Sequence, residues 1–432
     1  MGGTVVGFVA MIKILHVSTG DYDGGAARAA YRIHQALLKS GIDSRMRVLY
    51  SGTGDNSVIA GVAPKSTANY IALKLYNRWL SYTRRDWQPD NPILHTFGQN
   101  SAALVDELNA SDADILNLHW ISDMLSIADI ARLRKPIVWT LHDMWPFCGG
   151  EHYAPDDESA RFRQGYRTDN RPSGESGPDL NRSAWEAKRK AWASQHFTIV
   201  GDSYWLAECA KVSMLFCDAN IHTIHYPLEM DNLWRPIPRD MARFVLGLPM
   251  DKKLILMGAV GGVADPRKGG DLLRDALGLM PELSSGTVEL MIYGQSQPNN
   301  DDIWPCPVHW FGRVCDDRIL VLAYSAADVM VVPSRQEAFG QTALEAQACG
   351  IPVVSFKIGG LPDIISHKVT GYLARPFEIS DLADGIKWVL QEEQRRLALS
   401  LAARDSAMNL FSEPAIAEKY TELYEQVLAE YR

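Results

Sequence analysis

The sequence predicts an α/β protein built from two doubly wound, Rossmann-like parallel-sheet domains facing a cleft. Three observations lead there. Short apolar, β-branched runs alternate with amphipathic helical stretches, the pattern of parallel strands buried on both faces. The alternation breaks at a proline-rich stretch without helical period, HYPLEMDNLWRPIPRD (225–240), and restarts near residue 252. At 432 residues the chain also exceeds one ordinary core, so roughly two to three domains are expected. The expected domains are 1–235 and 236–412, with 225–240 as the hinge. A helix over 413–432 either caps the second domain or crosses back to the first.

In the first half IKILHVS (12–18) reads as a buried strand, GDYDGGAAR as a glycine loop, and AAYRIHQALLKSG as a helix closing at Gly41. ADILNLHW (113–120), PIVWTLHD (136–143) and HFTIVGDS (196–203) are further strands. In the second half the strands are KKLILMGAV (252–260), VELMIYGQS (288–296), VHWFG (308–312), ADVMVVPS (327–334) and PVVSF (352–356). Residues 149–182 depart from the pattern: polar, loop-like and long for a connector, they read as a functional or mobile insertion. In two such domains the carboxyl ends of both sheets line the cleft, where ligands of such sheets bind.

Composition narrows the function. The chain is 47% hydrophobic and 22% charged, as in soluble globular proteins, and its formal charge of −9 argues against a nucleic-acid binder. No apolar run approaches the roughly 18–20 residues of a membrane helix. MGGTVVGFVA lacks the basic residues of a secretory signal, so Met11 is the expected start of the fold and the location cytoplasmic. The six cysteines are scattered and are expected to be buried free thiols, with no metal site among them.

Four constellations carry candidate chemistry. In SRQEAFGQTALEAQACG (334–350), Glu337 lies on a loop leading into a helix N-terminus and Glu345 about a turn inside the helix. The helix start suits an anion, and two carboxylates so spaced can grip polyol hydroxyls. A capping acid with a solvated helix glutamate fits the spacing equally well. In MGAVGGVADPRKGGDLL (257–273), Arg267 and Lys268 sit between Pro266 and two glycines, suited to a diphosphate or simply to solvent. In GDYDGGAARAA (20–30), Gly24 and Gly25 can bring backbone close to a ligand, although G-x-G-x-x-G is absent. Asp21 and Asp23 form an Asp-x-Asp, too common a tripeptide to carry a metal site. In TLHDMWPF, His142 ends a strand; a satisfied core histidine is the plainer alternative there and at His119.

Taken together these residues resemble the retaining glycosyltransferases of the two-domain GT-B fold, family 4. The likeness runs from KILHVS to the C-terminal helix and is most specific in SRQEAFGQTALEAQACGIPVVSFKIGGLPDII. GGAARAA and LHDMWPF look like bacterial members that build surface polysaccharides. The resemblance implies a UDP- or GDP-sugar donor and a glycan or lipid-linked saccharide acceptor. Glu337 would contact hydroxyls of the transferred sugar and Glu345 the ribose. Phe339, Gly340 and Gln341 would offer backbone amides. Lys268, helped by Arg267, would neutralise the diphosphate. Gly312, Arg313 and Val314 would lie along the base, His142 near the donor sugar, and Gly24 and Gly25 near the phosphates and acceptor. No metal or other cofactor is expected; transfer would run on the front face, with retention, a phosphate oxygen taking the acceptor proton.

Two departures stand out. Ala259 follows Gly258 where members often carry arginine, and Tyr226-Pro227-Leu228 replaces the frequent Pro-Asn-Gly. A sugar-nucleotide epimerase or hydrolase and a non-catalytic nucleotide-sugar binder are the alternatives; a dehydrogenase is set back by the missing glycine fingerprint. Two basic, Trp-containing stretches, 74–87 and 182–192, suggest peripheral contact with an anionic membrane, or else buried indoles and solvated cations.

Overall fold

The computed structural model describes residues 12–61, 85–258, 265–280, 286–298 and 304–431. The segments 1–10 and 74–84, named above as an extension and a membrane-contact stretch, and Ala259 lie outside them. Contacts divide the chain into two compact units: residues 1–201, 207–224 and 417–432, and residues 202–206 and 225–416.

The first unit is built on a seven-stranded sheet. Its strands are β1 (Lys13–Gly20), β2 (Asp43–Tyr50), β3 (Val58–Ala60), β4 (Ile115–Leu118), β5 (Ile137–Thr140), β6 (Phe197–Gly201) and β7 (Asn220–Thr223). They lie in the order β3-β2-β1-β4-β5-β6-β7, and every pairing is parallel. The chain therefore builds outward from β1 in both directions, and the switch point falls between β1 and β4. Buried strands explain the apolar runs: β4, β5 and β6 are buried at every residue. Trp139 in β5 is completely buried among Trp192, Phe197 and Phe216, with ring centroids 5.4–6.3 Å away. The last helix, Glu413–Tyr431, buries Tyr420 and Tyr424, one turn apart. Their hydroxyls meet Thr140 Oγ1 at 3.2 Å and Asn117 Nδ2 at 2.7 Å.

The second unit carries a six-stranded sheet: β8 (Lys253–Gly258), β9 (Val288–Tyr293), β10 (Val308–Trp310), β11 (Val329–Val332), β12 (Val353–Phe356) and β13 (Gly371–Ala374). The order β10-β9-β8-β11-β12-β13 is again all parallel, with its switch point between β8 and β11. The α/β doubly wound architecture expected of each half is the one observed. The proline-rich segment packs into this unit: Leu228 N donates to Phe411 O at 2.9 Å, and Trp234 is 1% exposed.

Several expectations need correction. Four strands were not anticipated. β2 hides because Arg45 and Arg47 interrupt its apolar run; Arg47 is nonetheless buried, paired with Glu107 at 2.6 Å. β3, β7 and β13 are short and carry weak patterns. The first helix begins at Gly25, so it takes in residues assigned to the glycine loop. Residues 149–182 are not a free polar insertion. Phe162 and Tyr166 are buried, and Arg161 pairs with Asp179 at 2.6 Å, the residue that also caps the helix Leu180–Ala191. Trp185 in that helix and Trp192 at its C-terminal cap are buried, and Lys188 is fully buried, donating to Cys148 O at 3.1 Å and Gly149 O at 2.8 Å. The indoles of 182–192 are therefore core residues, and membrane contact cannot rest on them. Cys148, Cys209, Cys306 and Cys349 are buried free thiols, whereas Cys217 and Cys315 are exposed. Among the described residues no helix is long and apolar enough to cross a membrane.

Candidate functional site

Two loops meet at the switch point of the second sheet. One follows β8 and forms a short 3-10 turn, Pro266–Lys268, before the helix Gly270–Gly278. The other follows β11 and runs through Ser334 and Glu337 to the helix Gln341–Ala348. Arg335 ties them together, its N–H donating to Arg267 O at 2.7 Å and its guanidinium to Pro266 O and Asp271. The approach is close enough to need glycine at 269: with φ 67°, a Cβ there would sit 2.0 Å from Pro333 O.

At the centre Lys268 Nζ donates to Glu337 Oε2 at 2.6 Å, and Ser334 Oγ donates to the same oxygen at 3.2 Å. Both side chains keep some solvent access, 22% and 14%. Glu337 is held from behind by the turn before the helix Leu361–Ile364: Gly360 N donates to Glu337 O at 3.0 Å. The glutamate is not a simple capping acid; it faces a cation across the switch point.

Glu345 is buried rather than solvated, 5% exposed. Tyr324 Oη donates to its Oε2 at 2.9 Å, and Tyr293 Oη lies 2.5 Å from Tyr324 Oη. Because Tyr324 spends its proton on the carboxylate, Tyr293 is the donor in the second bond. Burial and the neighbouring carboxylate push the Tyr324 phenol well above its usual range. Gly258, at the end of β8, makes room for this chain: a Cβ there would fall 1.9 Å from the Tyr293 ring.

Arg267 is less available than its neighbour. Its guanidinium pairs with Asp265 at 2.7 Å, and although burial raises the Asp265 carboxyl, bonds from Arg267 hold it below its ordinary value. Phe339 is buried against His225, Tyr226 and Phe411, which anchors the loop at the helix start. Gly340 caps the helix with φ 107°, and Gln341 is its first residue. Gly312 lies past β10 with its carbonyl accepting from Gly294 N at 2.7 Å; Arg313 is exposed and Val314 half-buried.

His142, Gly24 and Gly25 belong to the first unit. His142 ends a buried row: its Nε2 lies 3.0 Å from His119 Nδ1, and His119 Nε2 lies 2.8 Å from His16 Nδ1. Burial lowers all three, His142 to about 4 and the others well below the usual imidazole value, so the row is neutral at pH 7. His119 is thus the satisfied core histidine. Gly24 precedes the helix Gly25–Lys39. Asp21 is committed to Ser51, Gly52 and Thr53, so the Asp-x-Asp is a loop anchor. Among the described residues no group of three or more His, Cys, Asp or Glu could hold a metal ion.

Comparison with known proteins adds a family. Residues 238–406 match the family described as Glycosyl transferases group 1. That segment is a group 1 glycosyl transferase domain. It contains both switch-point loops. Among characterised relatives, the D-inositol 3-phosphate glycosyltransferase of Mycolicibacterium smegmatis is 34% identical over 224 residues, 50% of this chain and 49% of that protein. The chain thus spans about half the length of the curated relatives it matches. Solved structures share the fold over almost the full length. Sucrose-phosphate synthase from Thermosynechococcus elongatus gives a TM-score of 0.65 at 19% identity, over 97% of this chain and 100% of that one. Anabaena HepE in complex with UDP and glucose gives 0.63 at 17%, over 96% and 100%.

Tyr293, Tyr324, Ser334 and Arg335 carry no sequence motif of their own that marks them as part of this site. Tyr293 and Tyr324 look like ordinary core aromatics in an apolar strand and helix. The available signal was the buried glutamate, since a carboxylate inside a core demands donors.

Proposed function

We propose that the chain transfers a sugar from a nucleotide-diphosphate sugar to a hydroxyl of a saccharide or other polyol acceptor. The Lys268–Glu337 pair at the switch point of the group 1 domain carries this reading. An ammonium and a carboxylate locked on each other are poised to exchange partners. Lys268 takes the donor's diphosphate, and Glu337 accepts from hydroxyls of the transferred sugar. Glu345, held by Tyr324, is the carboxylate assigned to the ribose. The N–H groups at the start of Gln341–Ala348 supply a positive dipole end for the phosphates. Gly312, Arg313 and Val314 flank the base, and Arg267 adds positive potential screened by Asp265.

The proposed chemistry is front-face transfer with retention. The acceptor hydroxyl attacks the anomeric carbon on the side from which the diphosphate leaves, and a phosphate oxygen takes its proton. Lys268 and the helix-start amides stabilise the leaving charge without a metal. The resemblance of GGAARAA and LHDMWPF to bacterial polysaccharide enzymes supports a role in surface-glycan assembly at the cytoplasmic side. HepE, solved with UDP and glucose, and the relatives named for inositol 3-phosphate support a UDP-sugar donor and a polyol acceptor.

A screen of UDP-, GDP- and ADP-sugars against saccharide and polyol acceptors, read by nucleotide release, tests the activity. The anomeric configuration of the product by NMR tests retention. Release with an α-linked product from an α-linked donor is expected; no release from any donor, or an inverted product, would refute it.

A further inference from the structure

A second polar constellation lies at the switch point of the first unit's sheet, apart from the histidine row. Thr19, near the end of β1, donates through Oγ1 to Ser122 O at 2.6 Å and through its N–H to Trp120 O at 2.8 Å, just past β4. Ser122 Oγ lies 3.3 Å from Thr96 Oγ1, which lies 2.9 Å from His152 Nε2. His152 Nδ1 in turn lies 2.6 Å from Asp143 Oδ2, just past the end of β5 and next to His142.

The protons in this chain can be assigned. Trp145 N reaches Asp143 Oδ1 and Trp120 Nε1 reaches Oδ2, both at 3.0 Å. Burial raises the Asp143 carboxyl, but His152, the Trp145 N–H and His142 hold it below its ordinary value, so it is an acceptor only. His152 Nδ1 must then carry a proton. Trp120 Nε1, 3.3 Å from that nitrogen, gives its own proton to the carboxylate instead. When the ring carries that single proton, Nε2 is an acceptor and the Thr96 hydroxyl donates to it. The order carboxylate, imidazole, hydroxyl is that of a serine-type relay, and its effect is to fix which way the hydroxyl points. Ser122 can occupy one lone pair of Thr96 Oγ1, and a second remains.

We propose that Thr96, aimed by Asp143 and His152 and flanked by Ser122 and Thr19, binds a hydroxyl of the polyol acceptor, with Thr96 Oγ1 accepting the hydrogen bond. This rests on the transferase reading above and names its acceptor contact. Asp143 and His152 are 7% and 3% exposed, while Thr96, Thr19 and Trp120 are half-buried and are the more accessible members. Hydroxyls beside an indole suit a sugar or cyclitol, whose ring presents O–H at its rim and C–H on its face. His152 and Asp143 are positioning residues; Thr96 touches the ligand.

Saturation-transfer NMR on the full chain, without nucleotide sugar, tests this with inositol and methyl α-D-glucoside as probes. Wild type is expected to bind at least one probe saturably. Thr96→Val, which removes the hydroxyl and keeps the shape, is expected to weaken it about tenfold. Thr96→Ser is expected to bind like wild type. Binding to Thr96→Val equal to wild type, or no saturable binding of either probe by wild type, would overturn the proposal. If Thr96→Val does not fold, the His152 ring nitrogens of wild type serve instead: their shifts should move with bound probe, and unmoved shifts at saturation would overturn it. Because no donor is present, failure here is distinct from a failure of nucleotide release.

Discussion

Gly359→Ala should separate activity from stability. Gly359 sits at φ 52°, where an L side chain is strained, and a Cβ built there lies 2.0 Å from Glu337 O and 3.1 Å from Glu337 C. Contacts closer than 3.0 Å do not persist, so the Glu337 peptide must retreat by about 1 Å. That peptide also accepts from Gly360 N, and its side chain meets Lys268 Nζ at 2.6 Å. If Glu337 grips the donor as proposed, a displacement of about 1 Å there can cost about 100-fold in rate. The left-handed strain and local repacking should cost only about 1–3 kcal/mol. Steady-state nucleotide release, using the donor found by the screen, together with a urea melt reads both quantities. Gly278→Ala is the control, since a Cβ there meets nothing within 4 Å and the site ends a helix. A folded Gly359→Ala protein that turns over within about twofold of wild type would refute the reasoning.

Three further outcomes follow from buried polar groups. Tyr324→Phe removes a donor from buried Glu345 and one hydrogen-bond partner from Tyr293 Oη, so a melt should show a loss of about 1–3 kcal/mol. The neutral row of His16, His119 and His142 binds fewer protons folded than unfolded, so stability is present above the unfolded imidazole value of 6.5 and is lost as pH falls from there toward about 4. Urea melts across that window should be shallower in pH for His142→Gln than for wild type, by an amount on the order of 3 kcal/mol. Asp202 is the opposite case: burial raises its carboxyl to about 8, and Tyr226 Oη donates to it at 2.7 Å. The folded state therefore holds a proton that the unfolded state has lost, and stability declines as pH rises from about 4 through about 8. Asp202→Asn should abolish that decline, so melts at pH 9 should favour the variant.

Much of the architecture was legible because parallel strands buried on both faces leave uninterrupted apolar runs, as in β4, β5, β11 and β12. β2 was not, since buried Arg47 is satisfied by the Val48 and Gly61 carbonyls and by Glu107, a partner 60 residues away that no local pattern reveals. The Lys268–Glu337 encounter follows from sheet order: the loops after β8 and β11 are distant in sequence but adjacent at the switch point. Sequence placed Glu345 on a helix, yet helical spacing cannot say whether a glutamate faces water or a tyrosine. The indoles of 182–192 misled for a related reason, because a basic run beside tryptophans looks the same whether Lys188 snorkels outward or caps carbonyls inside.

The central claim is that Lys268, now paired with Glu337, meets the diphosphate of a nucleotide-sugar donor. Isothermal titration of UDP into the full-length wild type and Lys268→Ala tests it directly. Saturable binding to wild type is expected, weakening about tenfold or more in the variant, the worth of a hydrogen bond to a charged group. Undiminished affinity in a folded Lys268→Ala protein would contradict it.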